Sequence, residues 1–132
     1  MPTAPWINVE PSTTPAAMLG ELPKTQGSVV YPIPGTVVPP GATGIMVFAW
    51  YAVAGTIARP GWWHFAVNTG SGVANWFSLM IAGAGAQPVT LCNSQEFWLP
   101  MPVDGALTVT FFHGELLPSA CASSVEIHGY SL

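Results

Sequence analysis

The chain has 132 residues, enough for one domain with its own core, yet only 6% of them are charged, where about 25% is usual. Lys24 and Arg59 are the only basic residues beside six acids, and the net charge of −4 argues against a nucleic-acid backbone or an anionic membrane surface as partner. Half of the chain is apolar, so little charge remains to keep a monomer's surface in water, and burial of much of that surface against neighbours is expected.

Residues 1–27 contain Pro2, Pro5, Pro11, Pro15 and Pro23, which fix φ and remove backbone donors. An extended, Pro-rich N-terminal arm is predicted, with Trp6, Ile7 and Val9 as an apolar hook for a neighbouring subunit. Within it, only residues 16–22 suit a helical turn. The first fifteen residues have neither a basic start nor an apolar run, so they do not read as a secretory signal.

From residue 28 to 132 the chain reads as one domain of short strands punctuated by Pro and Gly. A strand at 28–33 is followed by Pro39-Pro40-Gly41, a strong turn signal. The run 44–58, GIMVFAWYAVAGTIA, comes next. Read with a period of two, Ile45, Val47, Ala49, Tyr51 and Val53 share one face, and Met46, Phe48, Trp50 and Ala52 the other. Both faces are apolar, so a strand here needs cover on both sides, and a second copy or another protein is the expected outer cover. The stretch 41–58 approaches bilayer-spanning length. Its Gly, β-branched and aromatic content, bracketed by prolines, instead fits a buried strand that bends or reverses near Gly55.

Residues 62–67 and 73–81 read as hairpin partners across the turn 68–72. After a loop at 83–88, short strands are expected at 89–92 and 96–99, then an Asp104-Gly105 turn. Residues 106–113 alternate, with Leu107, Val109 and Phe111 inward and Thr108 and Thr110 outward. A loop over 114–124 and a last strand at 125–130, with Val125 and Ile127 inward, complete eight or nine strands. That spacing predicts an all-β, antiparallel β-sandwich.

Chemistry-bearing patterns are sparse. His64, His113 and His128 with Glu115 lack the spacing of a cupin-type metal site, and two cysteines, Cys92 and Cys121, are too few for structural zinc. The two can form one disulfide or remain two thiols. No Gly-X-Ser-X-Gly elbow or phosphate-cradling loop occurs, so no enzyme, metal or cofactor is expected. Aromatics are the richer signal, with six Trp, six Phe and three Tyr. Interface candidates are Trp6, Ile7, Met46, Phe48, Trp50 and Phe112, because Trp and other large apolar groups dominate protein–protein hot spots. The alternative is a carbohydrate-binding, lectin-like module that stacks sugars on Trp62 and Trp63 and grips hydroxyls with Asn68 and Asn75; in that case the chain would be extracellular.

Two stretches carry a resemblance. VVPPGATGIMVFAW, residues 37–50, resembles the strand entry of phage virion and tail-fibre jelly-roll modules, and VEIHGYSL, residues 125–132, resembles their closing strand. The resemblance covers about a sixth of the chain. It implies a jelly-roll-like sandwich that forms a homotrimer, located in a virion, with other virion proteins as partners.

Overall fold

A computed structural model describes residues 6–83, 85–112, 117–118 and 120–132, and for residues 74–77 the backbone alone. Nine strands are present among them: β1 Trp6–Asn8, β2 Met18–Gly20, β3 Gly27–Pro32, β4 Gly44–Thr56, β5 Gly61–Asn68, β6 Val73–Ile81, β7 Pro88–Pro100, β8 Ala106–Phe112 and β9 Cys121–Ser131. The first sheet has the order β1-β9-β4-β7, with β2 also on β9; the second has the order β3-β8-β5-β6. All pairings are antiparallel. Except at the β1–β2 step and the β5–β6 hairpin, each connection crosses from one sheet to the other. Counted from β2, eight strands in the orders β2-β9-β4-β7 and β3-β8-β5-β6 make the expected sandwich jelly-roll-like.

Alternation along the strands builds the core. Ile45, Val47, Ala49, Tyr51 and Val53 of β4 are buried, as are Trp63, Phe65 and Val67 of β5 and Leu107, Val109 and Phe111 of β8. Between the sheets, Trp63 stacks on Phe111 with ring centroids 4.8 Å apart and lies 5.2 Å from Tyr51. Polar tips of these buried rings find backbone partners, as burial requires. The Tyr51 hydroxyl donates to the Met80 carbonyl at 2.7 Å, and Trp63 Nε1 donates to the Pro23 carbonyl at 2.8 Å. Tyr31 donates to the Glu21 carbonyl; burial, then the Glu21 charge, push its hydroxyl up to about 12.

The N-terminal stretch is extended and lies along this chain's own sandwich. Trp6–Asn8 pairs with β9, and a 3₁₀ turn at Pro15–Ala17 leads into β2, also on β9. Ala17 and Leu22 are buried in the core, and the Leu22 amide donates to Ser123 Oγ at 2.9 Å. Three further differences from the sequence reading have local causes. β4 does not reverse at Gly55: it runs to Thr56, with Gly55 at φ 139° and Pro118 2.9 Å from where a Cβ would stand. β7 is one strand of 13 residues rather than two short ones, because every residue of β4 has a partner along it. β9 begins at Cys121, inside the expected loop, because Ala52 and Val53 pair with Ala122 and Cys121.

Candidate functional site

The outer face of the first sheet follows from β4. Its odd-numbered side chains fill the core, so Met46, Phe48, Trp50 and Ala52 point away from it. Pairing in register places Trp98, Glu96, Ser94 and Cys92 of β7 beside them on one flank and Gly129, Glu126, Ser124 and Ala122 of β9 on the other.

At Met46 the register of β9 shifts: Met46 pairs with Gly129 while Val47 pairs with Ile127, which leaves His128 as an extra, bulged residue. A bulge re-aims a side chain, and here it lays the imidazole over Phe48. The rings stack with centroids 4.7 Å apart and 17° between planes. His128 Nδ1 is 3.2 Å from Glu96 Oε2, and Nε2 is 3.0 Å from Glu126 Oε1. Ionised carboxylates only accept, and a neutral imidazole has one N–H. Both bonds therefore exist together when the ring is an imidazolium. Burial by itself raises the Glu126 carboxyl, but hydrogen bonds from His128, Ser124 and Trp50, with the His128 charge, outweigh it and hold the group below its ordinary 4.5.

Toward the far end of the face, Trp50 Nε1 donates to Glu126 Oε2 in a long hydrogen bond of 3.4 Å. Beside it, an open groove of about 610 Å³ is lined by Phe48, Trp50, Tyr51, Ala52, Cys92, Asn93 and Ser94. At the near end, Trp6 lies against Gly129, 2.9 Å from where a Cβ would stand, and meets Trp98 edge-on at 5.7 Å.

These contacts revise the interface candidates. Met46 is only 8% exposed, covered by this chain itself, so it offers no contact surface. Phe48 is half-buried beneath His128, and Trp50 is half-buried. Trp6 and Ile7 remain partly exposed at the sheet edge, at 46% and 39%. Phe112 sits on the other sheet's outer face. There the register aligns Phe112, Trp62 and Met80 in one row across β8, β5 and β6, with His64 4.5 Å from the Phe112 ring.

Of the sugar candidates, Trp63 is corrected: it is fully buried, because an inward position in β5 places it at the centre of the core. Trp62 is half-buried on the outer face. Asn68 accepts from the Gly70 amide at 2.9 Å and so caps the hairpin turn. The Asn75 side chain lies outside the described residues, as do His113 and Glu115. Cys92 and Cys121 are free thiols. They sit on opposite flanks of β4, paired with Ala52 and Val53, so one points outward and the other inward. Burial pushes the Cys121 thiol up, which disfavours a nucleophilic thiolate.

Among the described residues no group of three or more His, Cys, Asp or Glu is arranged to hold a metal ion, and no helix is long and apolar enough to cross a membrane. The Glu96–His128–Glu126 cluster is invisible to spacing rules because Glu96 lies 32 residues from His128 and the aim of the imidazole depends on the bulge. No family model matches the chain, and no curated protein is similar to it.

Proposed function

We propose that this chain is a structural component of a virus particle, of the decoration, head-fibre or tail-fibre type, that assembles with copies of itself, as a trimer, and with other particle proteins. It works by burial rather than by catalysis. One observation carries the reading: the row Phe112–Trp62–Met80, three large apolar side chains in register on an outer sheet face, of which Met80 is 57% and Phe112 37% exposed. Burying the exposed parts of such side chains contributes on the order of 1 kcal/mol each, and a threefold contact repeats that gain at every subunit pair before association entropy is subtracted. A surface this poor in ions also avoids trapping unpaired charge in the contact. The jelly-roll-like topology and the likeness of residues 37–50 and 125–132 to virion modules support the same reading.

Light scattering of the purified chain tests it. A trimer mass at micromolar concentration is expected, and Met80→Ser with Phe112→Ser should shift the equilibrium toward monomer without changing the circular dichroism. A parent chain that is a clean monomer under these conditions removes the assembly reading.

A further inference from the structure

We propose a second, separate binding site: the groove beside Trp50 takes a neutral pyranose saccharide. It lies on the outer face of the first sheet, opposite the row assigned to assembly. Three features select this ligand. The groove, about 610 Å³, has the size of a small-molecule site, and its floor is aromatic and apolar, from Phe48, Trp50 and Ala52. Pyranose rings present a C–H face that stacks on an indole and a rim of hydroxyls that needs acceptors and donors. The rim of the groove supplies both: the Ser94 hydroxyl lies beside Trp50, and Glu126 and Glu96 stand beside Trp50 and Phe48. Asn93, opposite the inward Tyr51, is instead engaged by Tyr51 and the Ser94 amide.

Charge narrows the choice further. The acids bordering the face are Glu96 and Glu126, while the chain's only cations, Lys24 and Arg59, lie outside the strands that build it. Sialylated or sulfated sugars would meet two carboxylates with His128 alone to offset them, so neutral sugars are preferred. Glu96 is half exposed and keeps acceptor capacity for a ligand hydroxyl. Glu126 is fixed by His128 and Trp50, which holds the indole in place before a ligand arrives. The imidazole fills the gap between the two carboxylates, where a glycosidic oxygen would need to enter for hydrolysis. The site therefore binds sugar without cleaving it.

An array of neutral and acidic glycans, followed by titration calorimetry with the best neutral oligosaccharide, tests the proposal. Neutral glycans should be retained, and Trp50→Ala should weaken binding roughly tenfold or more, the equivalent of ~1.4 kcal/mol. Glu96→Ala, at a more exposed position, should weaken binding while leaving the fold intact, and Val103→Ser, at an exposed position outside both the groove and the assembly row, should not change it. Retention of no neutral glycan at millimolar ligand overturns the proposal. So does binding that follows Trp62 instead of Trp50, or binding confined to acidic glycans. If Trp50→Ala alters only the particle mass, the groove holds a second copy of the chain and the saccharide assignment fails, whereas the assembly reading stands.

Discussion

Glu126 illustrates how a single side chain in this fold is set by its neighbours. Its carboxyl accepts from an imidazole and an indole at once, and these bonds outweigh the cost of its burial. Because the folded value lies below the ordinary 4.5, ionised Glu126 stabilises the fold above that pH. The contribution is lost as pH falls through the lower, folded value. Thermal unfolding followed from neutral to strongly acidic pH should show a decline beginning below about 4.5 that is shallower in Glu126→Gln. Equal slopes in the two proteins would mean that the carboxylate is not held this way. With Val125 and Ile127 inward, alternation puts Glu126 and His128 on the outward face, where the structure also has them, His128 as the bulged residue. That Glu96 lies on the imidazole's other side depends on the pairing of β4 with β7, which no local pattern encodes.

At the scale of strands, legibility followed residue type. Segments with apolar alternation, such as Ala106–Phe112 and Val73–Ile81, were readable nearly to the residue. The polar middle of β7, Asn93-Ser94-Gln95, read as a break, yet an edge strand with exposed faces tolerates such residues because its partner holds it. The small residues that open β9 likewise lack strand character and are recruited by β4. Docking of β1 rests on a similar non-local fit. Gly129 leaves room for the Trp6 ring, and a methyl there would stand 2.9 Å from that ring and 3.0 Å from the Ile7 carbonyl. Gly129→Ala should therefore loosen β1 at a cost of about 1–3 kcal/mol. Faster amide exchange at Ile7 and Asn8, with β4 unchanged, is the expected signature; unaltered exchange there would show that the ring has another way to sit.

Taken as a whole, the molecule answers differently from its composition on one point. A strand apolar on both faces suggested that a neighbour must cover the second face, but the same chain buries Met46 and half-buries Phe48 and Trp50, leaving Trp98 45% exposed and the groove beside Trp50 open. A further exposed apolar row lies on the other sheet, where Trp62 is one of a sequence pair and its neighbours across the strands, Phe112 and Met80, are set by the topology. Mass measurements on Met80 and Phe112 variants thus address a different face from glycan measurements on Trp50, and each result can be read without the other.

The extra residue in β9 has an architectural consequence. Ile127 and Gly129 would follow one another as ordinary inward and outward positions if His128 were excised, since their partners Val47 and Met46 are already consecutive. A chain lacking His128 should keep its melting temperature to within a few degrees while Glu96 and Glu126 lose their common bridge, a separation that calorimetry beside a crystal structure would reveal. Decoration and framework in this protein are then independently editable: one codon adds the ornament, and its loss restores a plain ladder beneath.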